Sequence, residues 1–194
     1  MDMCPPNTIV DKTFIQKWAP RYDLSGVGDN YSDYDNILRE VAKETCQGSI
    51  TKSTFIKILR WKSPRLQGIV PLDRYNEYND KIKEAIAASD KEKLQILDGL
   101  YGVGVPVAST ILHFIYPSRF PIMDVRVTEA LVNFGYLDVK ARSPKNYFVY
   151  QKTLLSIVQN TGCSMREIDK ALFAYHKQII KPKKRNTKPR GCFS

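Results

Sequence analysis

The stretch LQILDGLYGVGVPVASTILHFIYPSRFPIMDVRVTEAL, residues 94–131, decides the fold of this chain. Before its two central glycines, leucines recur three residues apart, which is helical spacing. Gly102 and Gly104 allow a tight turn, because glycine tolerates positive φ and brings no side chain to a close contact. Pro106 suits the first turn of a following helix, where its missing N–H costs nothing. The stretch therefore predicts a helix, a glycine turn and a second helix, with N–H groups of the turn facing outward as an anion site.

The rest of the chain also has helical patterns, and no stretch alternates as a half-buried strand would. Helices are predicted from residue 32 or 33 to about 47, from a cap at 51 or 53 to about 62, and from 125 to about 134. Asp90 is the predicted cap of the helix before the glycine turn. Ser164 and Glu167 make a capping box for a last helix, whose apolar face is predicted to end at Ile179. The predicted fold class is all-α.

Three segments together resemble the helix-hairpin-helix DNA glycosylase superfamily: LYGVG at 100–104, VA at 107–108 and FPIMDVRV at 120–127. Those enzymes carry a hairpin of the form L-P-G-V-G, a following helix, and an aspartate that opens the next helix. The spacing from Gly104 to Asp124 agrees with that arrangement. The resemblance implies a two-lobed helical domain over residues 1–180, with the helix-hairpin-helix at about 91–116 and the aspartate-bearing helix start at about 120–134.

The resemblance also implies a chemistry for Asp124. A fixed carboxylate can stabilise the positive charge that builds on deoxyribose as a base departs, and can help to orient a water molecule. From local sequence alone, Asp124 is simply the cap of the helix that begins at Val125. Bifunctional relatives have a nucleophilic lysine where this chain has Pro106, so a monofunctional DNA glycosylase is implied. The alternatives are a non-catalytic DNA-binding module and, less strongly supported, a protein-interaction domain.

The same resemblance assigns ligands to the glycine turn. Backbone N–H groups of Gly102, Val103 and Gly104 would bind a phosphate of double-stranded DNA. Family members also hold a monovalent cation, K⁺ or Na⁺, on turn carbonyls that correspond here to Asp98, Leu100 and Val103. The alternative from the residues alone is a tight interhelical turn without a ligand.

A basic cluster around an aromatic residue ends the third predicted helix: Arg60, Trp61, Lys62 and Arg65. Its cations could contact phosphates while Trp61 wedges into the base stack or lines a pocket for an extruded base. The simpler interpretation puts Trp61 in the core and the cations on a solvated rim. Trp18, Tyr101 and Tyr116 are likewise predicted first as core residues.

Composition is compatible with a nucleic-acid partner without establishing one. The formal net charge is +10, but residues 181–194 contribute six Lys and Arg and no acid, so the remainder is only mildly basic. This tail is predicted to be disordered. The four cysteines are scattered, so reduced thiols and no iron–sulfur cluster are expected. No membrane-length apolar run occurs, and we expect a monomer in the cytoplasm or nucleoid, or in a eukaryotic nucleus.

Overall fold

The computed structural model describes residues 9–22, 33–138 and 143–181, and in these ranges the chain is all-α with no strand. The predicted fold class is therefore confirmed. The helices are α1 (Lys12–Trp18), α2 (Tyr34–Thr45), α3 (Lys52–Lys62), α4 (Tyr75–Ala87), α5 (Asp90–Asp98), α6 (Val105–Ile115), α7 (Val125–Asn133), α8 (Pro144–Thr161) and α9 (Met165–Tyr175), and a π-helical turn (His176–Ile180) follows α9. Within the described ranges, none of these helices is both long and apolar enough to cross a bilayer. The basic tail after residue 181 lies outside the described residues.

The helices form two groups that share one core. In the first group α5 packs on α4 and α6, while α3 packs on α2 and α6. In the second group α1, α7 and α8 all pack against α9. Buried apolar side chains from both groups belong to a single cluster. Residues where α3, α9 and the start of α7 meet therefore lie at the junction of the two groups.

Helix starts follow local capping signals. Asp11, Thr51 and Ser164 cap α1, α3 and α9 by accepting hydrogen bonds from backbone N–H groups three residues on. The predicted cap of α5 was wrong by one residue, because Ser89 forms the capping box with Glu92. Asp90 lies instead in the first turn, where its negative charge favours the positive end of the helix dipole.

One aromatic and one aliphatic side chain are exposed although the sequence predicted that they would be buried. Tyr101, at the tip of the glycine turn, is 72% exposed, so its assignment to the core was wrong. Ile179 is 51% exposed, although it was placed on the apolar face of the last helix. The π-helical turn that ends α9 changes the residues per turn, and this rotates Ile179 away from the face that Ile168 and Leu172 share.

The buried face of α8 also differs from the predicted one. The sequence predicts a helix after Pro144 whose apolar residues are Phe148, Leu154, Leu155 and Val158. Of these, only Leu154 is fully buried, together with Tyr147, Tyr150 and Ile157, whereas Leu155 and Val158 are half-buried against the core. Both tyrosine hydroxyls donate hydrogen bonds to backbone carbonyls in the segment before α7. Their polar atoms are therefore satisfied in the core, where the large rings can pack.

Lys93 holds the end of α4 against α5. Its ammonium donates hydrogen bonds to the carbonyls of Ala85, Ile86 and Ala88, at 2.9, 3.0 and 2.7 Å, and only 3% of the residue is exposed. These carbonyls belong to the last turn of α4 and the residue after it, where no N–H group of the helix is available to donate to them. The same ammonium lies 5.0 Å from the ring centre of Tyr116, just after α6.

We expect Lys93→Met to destabilise the protein by about 2–4 kcal/mol, because it leaves buried carbonyls without donors. The midpoint of urea unfolding would measure the loss. Lys91→Met, at an exposed position of the same helix, is the matched control and should leave the midpoint almost unchanged. Equal effects of the two substitutions would contradict a special role for the Lys93 ammonium.

Candidate active site

Asp124 is placed by a short extended segment that two helices hold. Residues 120–123 connect α6 to α7 and are buried. The hydroxyls of Tyr147 and Tyr150 on α8 donate to the carbonyls of Pro121 and Ile122, at 3.0 and 2.7 Å. On the other side, the Met123 N–H donates to the Ser109 hydroxyl of α6, at 3.0 Å. The backbone that leads into Asp124 is thus fixed from both groups of helices.

Asp124 itself caps α7. Its Oδ1 accepts a hydrogen bond of 2.9 Å from the N–H of Arg126, so the cap predicted from local sequence is confirmed. The side chain is nevertheless 25% exposed, and its second oxygen, Oδ2, faces a neighbouring lysine. One carboxylate oxygen is therefore engaged in the helix while the other is directed to the junction of the helix groups.

The neighbouring lysine is Lys62, the last residue of α3. Its Nζ lies 3.7 Å from Asp124 Oδ2, and its side chain is only 14% exposed. Burial lowers the pKa of the Lys62 ammonium, and the charge of Asp124 opposes that shift without cancelling it. The sequence placed Lys62 in a basic cluster at the surface, but its amine lies beside the carboxylate.

A second ion pair lies behind the first. Arg166 and Asp169, one turn apart on α9, form a close ion pair, and their side chains are 12% and 11% exposed. The guanidinium carbon of Arg166 is 4.9, 4.8 and 5.2 Å from the ring centres of Tyr22, Tyr34 and Trp61. Three aromatic rings around one guanidinium form a favourable cation–π environment.

The two ion pairs line a small cavity of about 30 Å³. Its walls come from α3, from the segment before α7 and from α9, together with Tyr22, and comprise Tyr22, Trp61, Lys62, Ile122, Asp124, Arg166, Asp169 and Phe173. Space of this size accommodates a water molecule with several polar partners, but it is too small for a nucleobase. Burial raises the pKa of Asp169, and Arg166 opposes that effect.

A histidine supports the segment that carries Asp124. His113 Nδ1 lies 2.8 Å from the Phe120 carbonyl, which can only accept, so Nδ1 carries the proton. His113 Nε2 then accepts from the Tyr34 hydroxyl at 2.7 Å. Burial lowers the pKa of His113 to about 4 and raises that of Tyr34 to about 12, so both groups are neutral at pH 7.

Four of the residues just described were not predicted from the sequence as part of the site: Tyr34, His113, Arg166 and Asp169. The only local indication of the site is Asp169, an acidic residue that directly follows Ile168 in α9, close to the apolar face of that helix. A carboxylate that is buried in such a position usually forms an ion pair with a basic side chain. Nothing in the sequence indicated that its partner and three aromatic rings would adjoin Asp124.

The basic cluster at the end of α3 is divided by the fold. Arg60 and Arg65 are exposed, whereas Trp61 is buried with only 4% exposed. The Trp61 ring packs at 5.1 Å from the ring of Phe114 and at 5.7 Å from that of Tyr34. Trp61 is thus a core residue that also lines the cavity, and its burial does not fit a role as a wedge. Phosphate contacts by Arg60 and Arg65 stay a prediction.

In the glycine turn, residues 99–104 between α5 and α6, several backbone polar groups already form hydrogen bonds within the protein. The Val103 N–H donates to the Leu100 carbonyl at 3.0 Å, and the Tyr78 hydroxyl donates to the Tyr101 carbonyl at 2.7 Å. Burial raises the pKa of the Asp98 carboxyl, and the nearby Val105 N–H opposes that rise. An acid already occupies the start of α6, which makes this helix end less available to an anion than the sequence suggested.

No group of three or more His, Cys, Asp or Glu residues in the described ranges could hold a metal ion. A monovalent cation on the carbonyls of Asp98, Leu100 and Val103 would use backbone oxygens instead, and it stays a prediction. The Leu100 carbonyl would then have to bind the ion while it accepts from Val103.

The two glycines of the turn should respond differently to substitution. Gly102 has φ of +76°, and a Cβ there would lie 3.2 Å from methyl groups of both Ile69 and Val70. Gly102→Ala should therefore cost about 1–2 kcal/mol of stability from the left-handed backbone, with contact strain in addition. A Cβ at Gly104 would meet only Pro106, at 3.9 Å. Gly104→Ala is the matched control, and thermal unfolding of both variants checks the difference.

The chain was also compared with known proteins. No family model matches it, and no curated protein or solved structure matches it.

Proposed function

We propose that this protein is a monofunctional-type DNA glycosylase, which hydrolyses the N-glycosidic bond of a damaged or mispaired base in duplex DNA. The observation that carries the proposal is the placement of Asp124. Its carboxylate is fixed by the α7 cap, is 25% exposed, and lines a cavity at the junction of the two helix groups. The resemblance of residues 100–127 to the helix-hairpin-helix glycosylases supports the same assignment.

The chemistry of such a reaction matches a fixed carboxylate. As the base leaves, positive charge develops on the deoxyribose ring, and a negative group held in place lowers the energy of that transition state. The cavity beside Asp124 has room for a water molecule, which the carboxylate could orient towards the sugar. Hydrolysis would release the base and leave an abasic site.

The size of the cavity supports a second candidate function. A space of about 30 Å³ does not accept a base unless its walls move, and the Arg166–Asp169 pair occupies one of those walls. A base-flipping enzyme would have to open this wall as DNA binds. A DNA-binding module without catalysis would need no such movement. Under either proposal the protein acts on duplex DNA as a monomer, in the cytoplasm, nucleoid or nucleus.

Base release from a panel of duplex oligonucleotides tests the proposal. The panel would contain oxidised, deaminated, alkylated and mismatched bases, and hot alkali would cleave at every abasic site formed. Release from one class of lesion is the expected result and would name the substrate. Duplex binding without release from any substrate would favour the non-catalytic module.

Binding by the basic tail needs to be separated from binding by the folded part. The panel would be repeated with a chain truncated after residue 180, and duplex affinity would be measured at several salt concentrations. Affinity that survives truncation, with a shallower salt dependence, is expected if the helices contact DNA. Complete loss of binding with the tail would argue against both candidate functions of the folded part.

A further inference from the structure

We propose that Lys17 and Arg21, which lie over the ring of Trp18, form a phosphate-binding site for the backbone of double-stranded DNA beside the Asp124 cavity. The site belongs to α1 and the 3-10 turn after it, Ala19–Arg21, and not to the glycine turn or to the basic cluster at the end of α3. The inference rests on the proposed function for the choice of duplex DNA as the partner, and it requires no chemistry at the cavity.

Two cations share one aromatic ring. The Arg21 guanidinium carbon lies 4.7 Å from the ring centre of Trp18, and Lys17 Nζ lies 5.9 Å from it. The ring orients each cation, but it has no net charge and leaves the positive charges uncompensated. Because both cations adjoin the same ring, they also repel each other, and an anion bound to both would offset that repulsion.

Neither cation forms an ion pair within the described part of the chain. Asp11 is the only acid in residues 9–22, and its carboxylate is engaged as the cap of α1. By contrast, several exposed cations elsewhere in the fold pair with carboxylates at 2.5–3.4 Å: Lys57, Arg74, Lys81, Lys83 and Arg119. The charges of Lys17 and Arg21 are therefore available to an external anion.

The ring that holds the two cations is itself fixed. Trp18 is 8% exposed, and its ring packs edge-on at 5.0 Å from the ring of Tyr175 in α9. Lys17 is exposed and Arg21 is half-buried, so both side chains reach the surface. Side chains that are already held in place lose less conformational freedom when they bind a phosphate than freely moving ones do.

Tyr22 places this site next to the cavity. It directly follows Arg21, is 2% exposed and lines the cavity beside Asp124. Lys170 of α9 adds positive charge to the same place, because its Nζ lies 5.4 Å from the ring centre of Tyr22. A duplex that presents a nucleotide at the mouth of the cavity would therefore bring neighbouring phosphates to these cations.

The salt dependence of duplex affinity tests the inference on the full chain. Each phosphate contact adds about 0.9 to the steepness with which log affinity falls against log salt concentration. Lys17→Met and Arg21→Met, which keep an aliphatic stem over the ring, should each reduce that slope by about 0.9. Affinities should converge with the wild type at about 1 M salt, and at about 0.1 M each variant should bind about eightfold more weakly.

Arg119→Met is the matched control. Arg119 also lies over an aromatic ring, 4.5 Å from the ring centre of Tyr116, but it is paired with Asp90 at 2.8 Å. Its removal should leave the slope unchanged, because its charge is already compensated. Arg21→Lys keeps the positive charge and should keep the wild-type slope.

The outcomes also separate this inference from the proposed function. Unchanged slopes in both methionine variants, with wild-type duplex binding intact, would overturn the site and leave the glycosylase proposal standing. The same loss of affinity at every salt concentration would also overturn it, since the ring contacts would then only stabilise the fold. Reduced slopes together with no base release from any lesion would support the site and reject the glycosylase. A wild type that binds no duplex would reject both.

Lys17→Met keeps the test decisive if Arg21→Met folds poorly. Lys17 is exposed on α1, so its substitution removes a charge without opening the core. A reduced slope in Lys17→Met alone would support the site, and an unchanged one would contradict it.

Discussion

Asp124→Asn is expected to reduce base release by about two to three orders of magnitude while duplex affinity is maintained or increases. Asparagine also caps helices well, so α7 should begin as before and the variant removes mainly the charge. The loss of charge removes stabilisation of the developing positive sugar. It also removes repulsion between a carboxylate and the DNA phosphates, which is why affinity should not fall. Single-turnover base release, developed with hot alkali, gives the rate of glycosidic hydrolysis.

Asp11→Asn provides a matched control for this substitution. Asp11 caps α1 in the same way, with Oδ1 accepting from the Phe14 N–H at 2.7 Å, and it does not line the cavity. Its replacement should leave the rate of base release unchanged. Equal rates for the wild type and Asp124→Asn, on a substrate that the wild type processes, would reject the catalytic role of Asp124.

Arg166→Met is expected to cost about 3–5 kcal/mol of stability, the largest loss from any single substitution considered, because it leaves a buried carboxylate without its partner. Asp169 is 8% exposed and has its ion pair with Arg166 on α9. The substitution also removes the cation that three aromatic rings surround. Urea unfolding at pH 7 measures the loss, provided the variant still unfolds in one cooperative step.

The pH dependence of this variant follows from Asp169. Burial already raises the pKa of Asp169 in the folded protein, and removal of Arg166 raises it further, since the opposing charge is gone. A folded-state pKa above the unfolded value favours the folded protein at low pH and disfavours it as pH rises through that pKa. The deficit of Arg166→Met should therefore be smallest in acid and grow towards neutral pH.

Two further variants control for other causes. The double substitution Arg166→Met with Asp169→Leu removes both charges and should recover much of the lost stability. Arg74→Met breaks an exposed pair with Glu77 at the same sequence spacing, at the start of α4, and it should have no measurable effect. A double variant no more stable than Arg166→Met would show that the loss comes from packing and not from the uncompensated charge.

Features set by neighbouring residues could be predicted from the sequence. The capping box at Ser164 and the Asp124 cap depend on a few adjacent positions, and each was predicted in the right place. Positive φ was allowed for both turn glycines, but only Gly102 adopts it, and Gly104 has φ of −82°. The all-α class followed from the same local periodicities. Errors of one residue, such as the cap of α5, arise where two adjacent polar residues can both serve as caps.

The candidate site could be predicted only in part, because its contacts join distant parts of the chain. Asp124 was identified from its motif, but its neighbour Lys62 is on α3 and its more distant neighbours are on α9. Such proximity depends on how helices pack, and local spacing contains no information about it. Hydropathy likewise undervalued Tyr147 and Tyr150, whose hydroxyls are satisfied by carbonyls far away in sequence.

The enclosure of the Lys93 ammonium makes this residue a natural probe of local opening. An acylating reagent can reach the Lys93 amine only when the end of α4 separates from α5, whereas Lys91 on the same helix reacts at all times. The ratio of the two labelling rates would therefore report the free energy of that separation, which is a sub-global event distinct from complete unfolding. Because α5 leads directly into the glycine turn, a duplex held by the turn should slow acylation of Lys93 selectively.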